Sequence, residues 1–484
     1  MIDRSNGYQR RTSALVVASS ITTAITLFAV FRFTADYASV EWIGVWSLLQ
    51  GLFLIARVSD SGAGANISRV LAVRVKSKAP IDLRNMTMAA LWITSLPSFL
   101  LGLVIAPVVG FYITTTYGTE LSTDVLWTLV WLALLSASLA AVANVLLAIC
   151  EGMFDLNYKS LTVILGNLAG LSAAVPLLTL AGPAGVGWIY VVIFGTQLIL
   201  GGIRVLQLTK RLAQPPEDTV RQHIRILWRE NLQLSGIALI RLSFEPATKL
   251  LLSFFAPLVV IAQFELALRV TTQLRIVIQS ALQPLLVIGA RMRERPHGET
   301  REVFLKNDRA LWSLSVGGLI AQILAAPAIQ WLGLGFHSVS FIVFFAMLAA
   351  GNAVNTIGLS GYYWQLTSGS LMPLVRVQSV MAIWNVAIGV VGLFLDSAVV
   401  VVAAYCGAFA LGGLVSRSFL GGTSRLSQFL SPVLVLVGGS VAAGLVLIVY
   451  PETLISVGIC LGFAALVAAL CLYFTYRTYR RSPH

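Results

Sequence analysis

The chain has 484 residues, of which 57% are hydrophobic and only 11% charged, with a mean hydropathy of +0.86 and a formal net charge of +13. Such a composition excludes a soluble globular protein and defines a polytopic membrane protein. Four cysteines, Cys150, Cys406, Cys460 and Cys471, stand singly in apolar stretches, a pattern that implies neither a disulfide framework nor a metal site.

At the start, Arg4, Arg10 and Arg11 precede an apolar run from Ala14 to Phe33. The run is too long for a signal-peptide core and has no clear small-residue cleavage site, so it reads as an uncleaved first helix. Taking roughly 20 apolar residues per crossing, spans follow at 12–33, 42–65, 86–113, 125–150, 160–181, 185–207, 232–256, 258–289, 310–333, 340–365, 374–395, 397–416, 429–450 and 453–476. Only Asp396 and Ser397 part the eleventh from the twelfth, which leaves a count of twelve open. The expected fold is all-α, with about 14 transmembrane helices. An N-terminal lobe over 1–207 carries helices one to six, and a connector follows over 208–231. A C-terminal lobe over 232–416 carries helices seven to twelve, and 417–484 holds the last two helices and a basic tail.

The charge map orients these spans. With the N-terminus inside, one set of loops and tails, counted together with Arg376 at the inner end of the eleventh span, holds 26 of the 33 Lys and Arg residues, and the opposite loops hold none while carrying Asp36, Glu41, Glu120, Asp124, Asp396 and Glu452. The positive-inside rule then places both termini in the cytoplasm. It also accounts for the net charge without nucleic acid, since basic loops set topology and touch anionic lipid heads. The connector, with Pro215 and Pro216, separates two sets of six spans that start on the same side, so a repeat would be parallel. Its charges at helical spacing, such as Arg221, Arg225 and Arg229, fit an interfacial helix, with regulatory docking as the alternative.

Catalytic signatures are missing: there is no phosphate-cradling GxxxxGK[ST], no HExxH and no GxSxG elbow, and the four histidines lack partner spacing. The sequence therefore points away from an enzyme, and no cofactor is implied.

What stands out is charge inside the spans. Arg241, Glu245 and Lys249 follow at intervals of four in the seventh span and form one stripe. On an insertion scale three central charges cost about 9 kcal/mol, and the dozen Leu, Ile and Phe residues of 232–256 return about 6. Such a helix needs protein or water beside its stripe. In the eighth span Glu265, Arg269, Thr272, Gln279 and Gln283 share a face, with Arg275 at its edge. Arg32 lies toward the outer end of the first span, Arg204 near the inner end of the sixth, and Arg57 with Asp60 near the inner end of the second. With Arg376 counted on the inner side, seven basic residues against three acids leave the spans cationic by four. Two readings remain: a structural ion-pair ladder, or a cavity that concentrates an anion such as phosphate or pyrophosphate.

Three stretches carry a resemblance. They are Gly44-Val45-Trp46-Ser47-Leu48-Leu49-Gln50 with Asp60-Ser61-Gly62-Ala63-Gly64-Ala65 and Arg69; Leu147-Ala148-Ile149-Cys150-Glu151-Gly152-Met153-Phe154; and Glu245-Pro246-Ala247-Thr248-Lys249-Leu250-Leu251-Leu252. In order and placement they resemble the O-antigen and exopolysaccharide flippases of the multidrug/oligosaccharidyl-lipid/polysaccharide exporter superfamily. The resemblance implies a two-lobed bundle in the bacterial inner membrane that moves a polyprenyl-pyrophosphate-linked oligosaccharide toward O-antigen, lipopolysaccharide, capsule or exopolysaccharide assembly. Lipid II flippases of that superfamily carry cavity arginines on helices one, two and eight, where this chain has Arg32, Arg57 and Arg269.

On that footing Arg241, Lys249, Arg269 and Arg275 are expected to bind pyrophosphate, with Arg57 and Arg32 from the other lobe. Asp60, Glu245 and Glu265 are expected to serve as charge partners or coupling groups. A proton or sodium gradient, a polysaccharide polymerase and glycosyltransferases are the expected partners beside the lipid-linked substrate. The alternatives are a multidrug and toxin extrusion-like antiporter, which a cationic interior disfavours, and a non-transporting scaffold of polysaccharide assembly.

Overall fold

The computed structural model describes residues 2–57, 60–76, 82–211, 219–225, 227–228, 240, 244–291, 297–368 and 372–420. Helices dominate, and no strand occurs among the described residues. They form two compact units, Met1–Leu242 and Ser243–His484. Spans thirteen and fourteen, and Arg241, lie outside the described residues.

Unit 1 contains α1 (Ile2–Tyr37), α2 (Val40–Ala56), α3 (Asp60–Lys76), α4 (Leu83–Tyr117), α5 (Thr123–Gly152), α6 (Leu156–Ala181) and α7 (Gly185–Arg211). Unit 2 contains α8 (Glu245–Ser253), α9 (Leu258–Arg291), α10 (His297–Leu334), α11 (Val339–Ile357), α12 (Leu359–Ser368), α13 (Met372–Phe394) and α14 (Ala398–Ser418). Eight helical stretches among the described residues are long and apolar enough to cross a membrane, one of them, Leu156–Arg211, running through α6 and α7. This is a multi-pass membrane protein.

The second expected span is not continuous: α2 stops at Ala56, with Arg57 as its C-cap, and a separate helix α3 starts at Asp60. Tertiary packing accounts for the second helix. Ile67 and Leu71 of α3 are buried in a core with Met86 of α4 and Val145, Ile149 and Cys150 of α5. Gly152 allows that approach, since a Cβ there would lie 2.7 Å from the Leu71 Cβ. The stretch expected as a polar inner loop is therefore helix with a buried face. The tenth span is likewise split at Gly358 into α11 and α12.

Part of the connector joins unit 1. Leu227 and His223 are buried at 3% and 2% exposure, and the Asn66 Nδ2 donates to the Leu227 carbonyl at 3.4 Å. His223 thus stands in a packed setting rather than in a loop.

Local chemistry sets several ends. Asp82 caps α4 by accepting from the Asn85 amide at 3.0 Å. Between α13 and α14 the turn is closed by Asp396 at φ 47°, and Ser397 caps α14 by accepting from Val400 N. An aspartate tolerates that left-handed backbone, so two residues of polar sequence suffice to separate two long helices. Unit 2 is drawn tight by backbone approach: a Cβ on Gly361 of α12 would lie 1.9 Å from the Ser416 carbonyl oxygen of α14. Small residues at such crossings let membrane helices pack on van der Waals contact.

Candidate functional site: a charge ring and a polar cavity

In unit 2, α8 begins at Glu245 with Pro246 in its first turn, a placement that suits both the fixed proline φ and the positive end of the helix dipole. Lys249, one turn on, donates to Glu245 Oε1 at 2.7 Å. On α9, Arg269 Nε donates to Glu265 Oε1 at 2.8 Å across the same i, i+4 spacing. Two further contacts join the helices. Arg269 donates to Glu245 Oε1 at 2.9 Å, and the Lys249 ammonium lies 2.6 Å from Glu265 Oε2 as an ion pair. Two carboxylates and two cations alternate around a closed ring with zero net charge.

Exposure divides the ring. The side chains of Lys249 and Glu265 are 0% and 1% exposed, whereas Arg269 and Glu245 reach 32% and 23%. A fully buried ammonium held between two carboxylates is compensated by them, and in this conformation it has no surface to offer a ligand. Arg269 does.

Arg275, six residues along α9, sets its guanidinium 4.9 Å from the centre of the Phe409 ring. Phe409 stacks on Tyr405 at 4.7 Å and meets Phe244 edge-on at 5.6 Å. Arg275 also borders a small polar recess with Thr271, Asn352 and Thr356, where Asn352 Nδ2 donates to Thr271 Oγ1 at 3.3 Å. Behind the ring, Asn385 of α13 donates to the Phe244 carbonyl at 3.4 Å and bonds Thr248 Oγ1 at 3.2 Å, tying the start of α8 in place.

Unit 1 holds a cavity of about 530 Å³ bordered by α1, α2, α3, α5, α6 and α7. Arg57 reaches it from the end of α2, and Asn144, Asn167 and Gln197 bring carboxamides from three helices. Thr23 and Thr26 add hydroxyls, and Tyr190 and Phe194 an aromatic wall. Glu151 and Lys159, paired with each other, stand at its margin.

The remaining expected residues are dispersed. Arg32 pairs with Asp36 on its own helix at 2.9 Å, with both side chains more than a third exposed, and does not border the cavity. Arg204 is held by Asp155 at 2.6 Å and lies over the Tyr158 ring. Asp60 opens α3. Glu245, Lys249, Glu265 and Arg269 come together, Arg275 stands apart on its aromatic platform, and Arg57 belongs to the cavity of unit 1.

Sequence reasoning missed two groups. Asn144, Asn167 and Gln197 are uncharged, so a search for charges passed over them, although a carboxamide within an apolar span is itself a signal. Asp308 and Arg417, assigned to loops, form a buried pair at 2.8 Å and 5% and 7% exposure. Burial pushes the Asp308 carboxyl above its ordinary pKa, with Arg417 pulling it partly back.

No protein-family model matches the sequence, and no curated protein matches it. Solved structures do. A lipid II flippase, MurJ, in an inward closed conformation superposes with a TM-score of 0.64 at 15% identity, over 96% of this chain and 100% of that one. An inward-facing multidrug resistance MATE family transporter of the MOP superfamily gives 0.63 at 12% identity, over 87% and 98%. A MOP superfamily transporter from Pyrococcus furiosus, reported with reversed polarity of its binding pocket, gives 0.55 at 12%, over 90% and 95%. The chain has the fold of these transporters. Fold alone does not choose among their substrates.

Proposed function

We propose that the protein is an exporter of the flippase type, carrying a polyprenyl-pyrophosphate-linked oligosaccharide across the bacterial inner membrane for O-antigen, capsule or exopolysaccharide assembly. Both termini face the cytoplasm, and a proton or sodium gradient drives transport rather than catalysis by the chain itself. The observation that carries this reading is the character of the cavity in unit 1, set within a transporter fold. Among the described lining residues the charged groups are two cations, Arg57 and Lys159, and one carboxylate, Glu151, which Lys159 engages. Such a wall attracts an anionic substrate and repels the lipophilic cations that a drug antiporter of the MATE type would move.

Within unit 2, Arg269 and Arg275 are the cations assigned to phosphate contact, and within unit 1, Arg57. Guanidinium groups suit that work because their planar fork matches phosphate oxygens. Lys249, Glu245 and Glu265 hold Arg269 in position.

The test uses the full chain in proteoliposomes with a fluorescent polyprenyl-pyrophosphate-linked oligosaccharide, scored by accessibility of the glycan to an external lectin. Transfer between leaflets that depends on the protein, and drops at least tenfold in Arg269→Gln, is the expected result. Absence of transfer, with uptake of ethidium instead, would place the protein among drug antiporters. Absence of both would leave the scaffold reading.

A further inference from the structure

The cavity of unit 1 has polar groups that the fold does not consume. Gln197 is 6% exposed, and its carboxamide has no hydrogen-bond partner among the described residues. Asn167 is 4% exposed; its Nδ2 donates to Thr23 Oγ1 at 3.0 Å and to the Val163 carbonyl at 2.8 Å, and its Oδ1 accepts from no described residue. Both carboxamides line the cavity, so a ligand or water lying there can complete their hydrogen bonds.

Gly166 makes room for Gln197. A Cβ at that position would stand 2.7 Å from Gln197 Cγ and 3.1 Å from its Nε2. The carboxamide is thus seated against the backbone of α6, beside Asn167, the next residue in the chain. On the same face of α7 as Gln197, two turns before it, Tyr190 lies 5.2 Å from Trp46 and 6.3 Å from Phe194, ring centre to ring centre, in a tilted aromatic cluster. Arg57 supplies a cation from the end of α2.

We propose that this cavity is a saccharide subsite: Gln197 and the Oδ1 of Asn167 hydrogen-bond ring hydroxyl or acetamido groups, Tyr190 packs against a sugar face, and Arg57 meets the adjoining phosphate. Carboxamides that both donate and accept suit hydroxyls, which do the same, and an aromatic ring suits the C–H face of a pyranose. A volume of about 530 Å³ lies in the range of cavities that enclose small ligands. A lipophilic cation finds no unengaged carboxylate among the described lining residues. The proposal rests on the reading of the chain as an exporter of a lipid-linked glycan, and supplies the place where the glycan is recognised.

The experiment is saturation-transfer NMR on the full chain in nanodiscs, with three probes: N,N′-diacetylchitobiose, maltose and tetraphenylphosphonium. At least one disaccharide is expected to receive saturation, with affinity falling at least tenfold in Gln197→Leu and also in Gly166→Ala, which displaces the carboxamide without removing it. Silence of both disaccharides with the unaltered protein overturns the proposal, as does binding that Gln197→Leu leaves unchanged. Tetraphenylphosphonium displacing a bound disaccharide also overturns it. Failure of the exporter reading is seen separately. Gln197-dependent sugar binding without leaflet transfer sinks the exporter and keeps the subsite, whereas transfer without sugar binding does the reverse.

Discussion

The four-membered ring of Glu245, Lys249, Glu265 and Arg269 permits a quantitative test through charge balance. Each of Lys249 and Glu265 touches two ring partners of opposite sign, at 2.7 and 2.6 Å for Lys249 and at 2.6 and 2.8 Å for Glu265, and neither is exposed by more than 1%. Lys249→Met leaves the ring at −1 and Glu265→Gln leaves it at +1. Breaking a buried pair in this way costs about 3–5 kcal/mol, because the surviving charge stays buried without its partner. The double variant restores neutrality, with Arg269 and Glu245 still paired at 2.9 Å. Its destabilisation is expected to fall short of the sum of the singles by about 2 kcal/mol or more, a coupling of the size seen for residues in one network. Equilibrium denaturation in bicelles, followed by tryptophan fluorescence, measures all three. Singles that each lose less than about 1 kcal/mol and add to within about 0.5 kcal/mol in the double would refute the ring as a stabilising unit.

Three further outcomes follow from geometry outside the ring. Gly361→Ala places a methyl 1.9 Å from the Ser416 carbonyl, and the forced separation of α12 from α14 is expected to cost about 1–3 kcal/mol in the same denaturation assay. Phe409→Leu removes the platform under Arg275 and is expected to lower stability by about 0.5–2 kcal/mol and, on the proposed function, to lower glycan transfer in proteoliposomes as the guanidinium loses its ring contact. For Asp308, burial raises the folded-state pKa above the unfolded one, so its contribution to stability is fully present below the ordinary carboxylate range and declines as pH rises through the elevated folded value. Stability measured against pH is therefore expected to lose that decline in Asp308→Asn; an unchanged pH profile would contradict the assignment.

Much of the helical layout was legible because hydropathy answers to a single solvent. Helices such as α5, α6 and α7 coincide closely with the apolar runs, since a chain in lipid must satisfy its backbone within each span. The split of the second span was not legible. Nothing in the composition of 42–65 marks Arg57 as the end of a helix; what favours a separate α3 is the core that Ile67 and Leu71 find against α4 and α5. In the candidate site, spacing identified Glu245 with Lys249 and Glu265 with Arg269 as pairs along their helices, because a helical period of 3.6 brings i and i+4 together whatever lies opposite.

By itself, then, the amino-acid order determined a multi-spanning helical protein, the stripes of charge on the seventh and eighth spans, and the excess of basic residues within the spans. Only the tertiary structure decided how those charges are spent. The contacts of Lys249 with Glu265 and of Arg269 with Glu245 close the ring to neutrality, and the Asp308–Arg417 pair moves two supposed loop charges into a buried setting. Likewise the carboxamides of Asn167 and Gln197, weak signals on separate helices, became one polar wall only when α6 and α7 packed together. Charge sums are a property of the sequence, but desolvation and pairing are set by distance and burial, and these exist only once helices have met.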